Sequence, residues 1–193
     1  MYNSNTPYIS VKYKKQDYLN IHLTNSSSSA DFDTAIAIFS DRINGRFLDQ
    51  IHFLLNDCNK NGFSVMALVC LLIETFAQFK NGLNDTSSTS AATYSDFLYY
   101  DLGCFPSQQV AKKFYTYIRC GILHQAQTKP KSGLTFGATN AVNWSNNFLM
   151  ISVDRFVEAV DTYFFEYCNQ LRDPSNSELR LNFIKKMNFI CNR

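Results

Sequence analysis

Two side chains with complementary chemistry lie five positions apart in the segment FYTYIRCGILHQAQT, Arg119 and His124. Arginine carries a permanent positive charge on a planar group that fits phosphate oxygens. Histidine can both accept and donate a proton near neutral pH. Together they could cleave RNA without a metal ion. The histidine would move a proton at the 2′-hydroxyl or the leaving oxygen, and the guanidinium would stabilise charge developing on the phosphate.

A helix from Ser107 to Thr128 is predicted to carry both residues. Ser107 follows Pro106 and can cap the first amide groups of the helix. Apolar residues recur at intervals of three and four, which makes one side of the helix apolar. They are Val110, Phe114, Tyr117, Ile118, Ile122 and Leu123. This amphipathic helix is therefore the element that must position the chemistry.

Side chains five positions apart point about 140° away from each other around an ideal helix. A single chain would then direct Arg119 and His124 into different spaces. We expect a twofold partner to lie across the helix, so that both residues of both chains meet at one cleft. Gly121 would permit the close backbone approach. The alternative is structural, with an arginine in a salt bridge and a histidine at a helix end.

Further residues could support this site. Glu74 interrupts an apolar helix predicted over about 63–80, so it either reaches solvent at the bundle edge or pairs with Arg119 and orients it. Cys120 with His124 would be a nucleophile and base one turn apart, without an evident third member. Four lysines flank the motif and would attract an RNA backbone. They are Lys112, Lys113, Lys129 and Lys131.

Composition limits the remaining functions. The 193 residues suffice for one domain with a continuous core, and 46% are hydrophobic. A net charge of +2 does not by itself indicate nucleic-acid binding. The polar N-terminus and the short apolar run 65–73 predict a cytoplasmic protein that is neither secreted nor in a membrane. Six cysteines without a C-x-x-C pair favour buried, reduced thiols.

Several enzyme signatures are missing from the sequence. It has no phosphate-binding glycine loop, no G-x-S-x-G and no H-E-x-x-H. His22 and His52 do not stand at metal-ligand spacing from a cysteine, so we predict no metal site and no cofactor. His22 is expected on the surface of a strand, and His52 beside an apolar helical stripe.

The predicted architecture is an all-α helical bundle. Residues 1–30 form an N-terminal extension with a weak hairpin, and 31–193 a single helical domain. Segments 134–137 and 148–152 form a small β-hairpin excursion. Gly45 marks a bend or a close helix contact in the helix predicted to end near Asp57, and Ser175 with Glu178 forms a capping box for the last helix.

The segment FYTYIRCGILHQAQT resembles the signature helix of HEPN-domain proteins, whose active members carry an R-x4–6-H motif. The similarity is strongest over these fifteen residues, and the helices around Glu74 and after Ser152 fit the family bundle less specifically. The resemblance implies a homodimeric, metal-independent endoribonuclease of defence or toxin type with Arg119 and His124 as the catalytic pair. Active members often have Asn, Asp or His directly after the arginine, and this chain has Cys120.

The resemblance also implies the partners. RNA would be the substrate, and an antitoxin or a nucleotidyltransferase-like protein would be a candidate regulator. Because some HEPN proteins are non-catalytic, a second hypothesis is a module that binds a nucleotide, RNA or a protein without turnover. A third is a purely structural helical bundle.

Overall fold

The computed structural model describes residues 7–57, 61–86 and 90–192, and most of them are helical. The mostly helical architecture confirms the predicted fold class at that level. The helices are α1 (Lys15–Leu19), α2 (Ser29–Ile43), α3 (Asp49–Asn56), α4 (Gly62–Asn81), α5 (Ser90–Asp96), α6 (Gln108–Phe114), α7 (Cys120–Gln125), α8 (Val153–Arg172) and α9 (Ser177–Cys191).

Within the described ranges, π-helical stretches interrupt or extend three of the predicted helices. Asn44–Leu48 joins α2 to α3, Phe97–Asp101 continues α5, and Tyr115–Arg119 joins α6 to α7. Each stretch is followed by an amide that bonds to the carbonyl five residues earlier, as Cys120 does to Tyr115. The extra residue in the turn changes the direction of the side chains that follow it, relative to an ideal α-helix.

Strands occur in one small sheet of the described chain. β1 (Ser132–Thr135) runs parallel to β3 (Phe148–Ser152), and β2 (Val142–Ser145) runs antiparallel to β3. The order is β1-β3-β2. A small β excursion is present, as predicted. Its two predicted segments do not form a hairpin with each other, because β1 and β3 pair in parallel and the hairpin consists of β2 and β3. Its turn residues, Asn146 and Asn147, have φ values of 48° and 59°, which suits a two-residue type I′ turn.

Residue contacts divide the chain into two compact units, each with its own aromatic core. The first contains the described residues of Met1–Gln50, Gln78–Asp85 and Phe165–Arg193, and the second those of Ile51–Ala77 and Thr86–Phe164. In the first, Phe39 lies 4.5 Å from Phe79 and 5.4 Å from Phe183, ring centre to ring centre. In the second, the rings of Phe114 and Phe156 lie 5.0 Å apart.

The predicted N-terminal hairpin is not formed. Tyr8 and Lys14 make an isolated bridge, and the next residues form α1. The apolar residues that suggested alternation are instead spread over a helix and irregular chain, with Ile9 and Leu23 buried. His22 is exposed in a turn with a φ of 50°, so its predicted place on a strand was also wrong.

Helix starts follow the sequence signals in part. Ser28 accepts a hydrogen bond from the amide of Asp31, and the Asp31 side chain accepts one from the amide of Ser28. The predicted capping box of Ser175 and Glu178 is absent, because the last helix begins at Ser177 and the Ser175 amide bonds to Asp173. In a capping box the amide of Ser175 would donate to the side chain of Glu178, but here it donates to Asp173 instead.

Among the described residues, α4 is the one helix long and apolar enough to cross a membrane, and more than half of its apolar window is buried. Burial explains that composition, since a helix that is apolar nearly all round is typical of a protein core. The thiols of Cys70, Cys168 and Cys191 are buried and free. Cys104 and Cys120 are free and half-buried, and Cys58 lies outside the described residues.

Candidate functional site

The motif helix begins as the sequence predicts and then departs from ideal geometry before Arg119. The hydroxyl of Ser107 accepts a hydrogen bond from the amide of Val110, 3.3 Å away, which confirms the predicted cap. The π-helical stretch ends at Arg119, and α7 begins at the next residue and carries His124 in its last turn. Arg119 thus closes the π-helical stretch, and regular α-helix separates it from His124.

Arg119 is held in place by neighbours on two sides. Its Nη2 donates a hydrogen bond to Glu74 Oε2 at 2.8 Å, and its guanidinium carbon lies 5.3 Å from the ring centre of Tyr115. The other carboxylate oxygen of Glu74 accepts a bond from the Thr86 hydroxyl at 2.6 Å. The Tyr115 hydroxyl lies 3.0 Å from that of Ser90. The guanidinium plane is thus fixed by an ion pair and an aromatic ring.

These contacts decide between the two alternatives for Glu74. The carboxylate does not simply reach solvent, since it pairs with Arg119 and its side chain is 23% exposed. Burial lowers the pKa of Arg119, but the hydrogen bond and negative charge of Glu74 outweigh that effect and raise it above its ordinary value. Arg119 is therefore cationic at neutral pH.

Two nitrogens of Arg119 remain outside the ion pair. Nε is buried without a hydrogen-bond partner among the described residues. Nη1 takes no part in the bond to Glu74, and the Cys120 side chain is a further hydrogen-bond partner of the Arg119 side chain. A guanidinium has five N–H donors, so Arg119 retains donors for an anionic group even while it binds Glu74.

His124 is exposed near the end of α7. The helix stops directly after Gln125, where Ala126 adopts a left-handed conformation with a φ of 52°. Within the described ranges, no side chain bonds to the His124 imidazole. Its ring is therefore accessible to a bound molecule.

Gly121 meets the chain's own backbone rather than a second subunit. A Cβ at this position would lie 2.5 Å from the carbonyl oxygen of Gln127 and 3.0 Å from the amide nitrogen of Lys129. The chain folds back there after Ala126, and the Lys129 amide bonds to the carbonyl of Tyr117. The close approach that the sequence suggested for a dimer is therefore made within one chain, and it does not support the dimer.

The four lysines have different surroundings. Lys112 and Lys131 are exposed, and Lys129 is half-buried. The ammonium group of Lys113 lies 5.4 Å from the ring centre of Tyr117 and 5.1 Å from that of Trp144. The ammonium group of Lys113 therefore contacts two aromatic rings, whereas a fully solvated lysine would contact only water.

Sequence reasoning did not assign Tyr115 and Thr86 to the site. Tyr115 precedes Arg119 by four positions, and this one-turn spacing is the signal that could have identified it. Thr86 lies in a polar segment without periodicity, and nothing in the sequence relates it to Glu74. His52 is half-exposed, with its Nε2 3.3 Å from Asp161, and takes no part in the site. No group of three metal-ligating side chains occurs among the described residues.

Comparison with known proteins adds no assignment. The chain matches no protein-family model, no curated protein and no solved structure. The site must therefore be interpreted from its own geometry.

Proposed function

We propose that this protein is a metal-independent endoribonuclease of the HEPN type, with Arg119 and His124 as its catalytic pair. One observation carries the proposal. Arg119 is cationic and oriented by Glu74 and Tyr115, while His124 on the same continuous helical segment is exposed and unpaired among the described residues. A fixed cation and a titratable ring are the two groups that the reaction requires.

In the proposed reaction the 2′-oxygen of a ribose attacks the adjacent phosphorus, and the bond to the 5′-oxygen breaks. His124 accepts the proton of the 2′-hydroxyl or donates one to the leaving oxygen. Arg119 donates from Nη1 to the phosphate, where negative charge increases in the transition state. A homodimer would supply both proton-transfer roles, because the partner subunit's His124 could perform the second one.

Cleavage of labelled RNA in the presence of EDTA tests the proposal. Wild type is compared with His124→Asn on single-stranded and structured substrates, with His22→Asn as the matched control because His22 is also exposed. Loss of general acid–base catalysis is expected to reduce the cleavage rate by about 100-fold or more, whereas His22→Asn should cleave at the wild-type rate. Intact RNA with wild type, or equal rates for both variants, would refute a catalytic role for His124.

A second candidate function is a non-catalytic HEPN-type module that binds RNA, a nucleotide or a protein. Its support is the carboxylate of Glu74, which offsets the charge of Arg119 within the same chain. Residue 120, a cysteine here, is where active members of the family often have Asn, Asp or His. This function predicts saturable binding that is lost in Arg119→Met, with no turnover by wild type under any condition.

A further inference from the structure

A groove separate from the residues around Arg119 crosses the second compact unit. Its volume is about 760 Å³, within the range of about 300–1,000 Å³ usual for ligand sites. It lies between the segment 103–106, the segment 139–144 that ends in β2, and the first half of α8. β2 is one of the two outer strands in the order β1-β3-β2, so the groove follows an edge of the sheet.

The wall of this groove contains Trp144, the single tryptophan of the chain. The indole is half-buried, and the ammonium group of Lys113 lies 5.1 Å from its ring centre. In the described part of the chain, Lys113 has aromatic neighbours but no carboxylate partner. An aromatic surface beside an uncompensated cation is the combination that holds a base and its phosphate in single-stranded nucleic acid.

Lys113 lies beside the Trp144 ring but does not line the groove. The polar groups that do line it suit binding rather than reaction. Asn140 and Asn143 are exposed amides that can donate to and accept from a base edge. The two carboxylate oxygens of Glu158 lie 3.1 Å and 2.9 Å from Arg155 Nη1. The negative charge of Glu158 is therefore compensated by Arg155. Burial raises the pKa of the Cys104 thiol to about 12, although a backbone hydrogen bond opposes the shift, so the thiol is protonated at neutral pH.

We infer that the groove binds a base of single-stranded RNA by stacking on Trp144, with Lys113 contacting the adjacent phosphate. The inference rests on the proposed function, since it gives the RNA that Arg119 and His124 would cleave a second contact on the same protein. Lys113 and Arg119 lie on the same continuous helical segment, so one RNA strand could reach both. The substrate class would then be single-stranded rather than duplex RNA, because a base in a duplex is not free to stack on a side chain.

The test uses the 193-residue chain with His124→Asn, a variant expected to leave RNA intact. A uridine hexamer is added, and the fluorescence of Trp144 is recorded. An abasic hexamer with the same number of phosphates is the matched ligand without bases. We expect a saturable change with the uridine hexamer and little change with the abasic one. Equal responses to both would show that charge alone is recognised and would overturn the inference.

Affinity is then measured by the fluorescence anisotropy of a labelled hexamer with Trp144→Leu. Loss of one stacking contact is expected to weaken binding about tenfold. Phe148→Leu is the control, because Phe148 is an exposed ring on the neighbouring strand β3 that does not line the groove. Unchanged affinity in Trp144→Leu would overturn the inference, as would equal weakening in both variants.

The two proposals fail in distinguishable ways. Cleavage by wild type that depends on His124, together with normal binding by Trp144→Leu, would refute the groove and leave the nuclease standing. Base-dependent binding at Trp144 without cleavage would refute the nuclease and support the groove. Binding of an extended peptide along β2, with no response to RNA, would overturn the groove's assignment to nucleic acid.

Discussion

Replacement of Glu74 by glutamine tests whether the ion pair with Arg119 stabilises the candidate site. The substitution keeps the size of the side chain and an oxygen that can accept from Thr86. It removes the negative charge that lies 2.8 Å from Arg119 Nη2. We expect a lower free energy of unfolding, because the guanidinium stays partly buried and loses its counter-ion.

The size of this effect follows from how deeply the pair is buried. The side chains of Arg119 and Glu74 are 16% and 23% exposed, which places the pair between a surface and a buried salt bridge. Two unit charges about 4 Å apart attract by about 4 kcal/mol at an effective dielectric constant of about 20, and desolvation offsets part of this. Surface pairs contribute about 0.2–1 kcal/mol, and breaking a buried pair costs about 3–5 kcal/mol.

We therefore expect Glu74→Gln to lower the free energy of unfolding by about 1–3 kcal/mol, which corresponds to a decrease in Tm of roughly 2–12 °C. Urea unfolding followed by far-UV circular dichroism measures the change. Glu158→Gln is the matched control, because Glu158 pairs with Arg155 at 2.9 Å and its side chain is 61% exposed. The control should unfold close to wild type. Equal midpoints for the two variants would refute the reasoning that the Glu74 pair stabilises the fold.

Two further expectations concern backbone packing and pH. Gly121→Ala should lower the free energy of unfolding by about 1–3 kcal/mol, because its Cβ would lie 2.5 Å from the Gln127 carbonyl oxygen. Gly133→Ala, whose nearest neighbour is 3.5 Å away, should unfold like wild type in urea. Stability should also decline from about pH 9 to pH 12. Burial raises the pKa of Cys104 from 9.0 to about 12, so the unfolded thiol ionises first. The decline should be shallower in Cys104→Ser, and an unchanged slope would contradict this assignment.

The sequence predicted a helix cap correctly where the capping bond joins residues within one helical turn. Ser107 caps the motif helix as predicted, because the bond joins its hydroxyl to an amide three residues later. Gly45 was expected at a bend or a close helix contact, whereas a Cβ there would lie 2.5 Å from Val11, which is distant in sequence and outside the helices. Ser175 shows the limit of such signals, since Asp173 competes for its amide.

The small sheet could not be predicted from the alternation of apolar and polar residues. Each strand has four or five residues, too few for alternation to distinguish Val142–Ser145 from a loop. The parallel pairing of β1 with β3 joins residues 17 positions apart in sequence, as Leu134 with Ile151, and no local pattern encodes it. The Asn146-Asn147 pair was the turn signal available in the sequence, because asparagine tolerates the positive φ values that both residues adopt.

The sequence by itself determined that Arg119 and His124 share one amphipathic segment, because helix periodicity and caps depend on residues within a few positions. It did not determine which way their side chains face, because the π-helical stretch before Cys120 depends on the packing around it. It also left Glu74 undecided between solvent and Arg119, since the two residues are separated by 45 positions. Tertiary packing made that choice by bringing α4 against the motif helix, where a partly buried carboxylate requires a cationic partner.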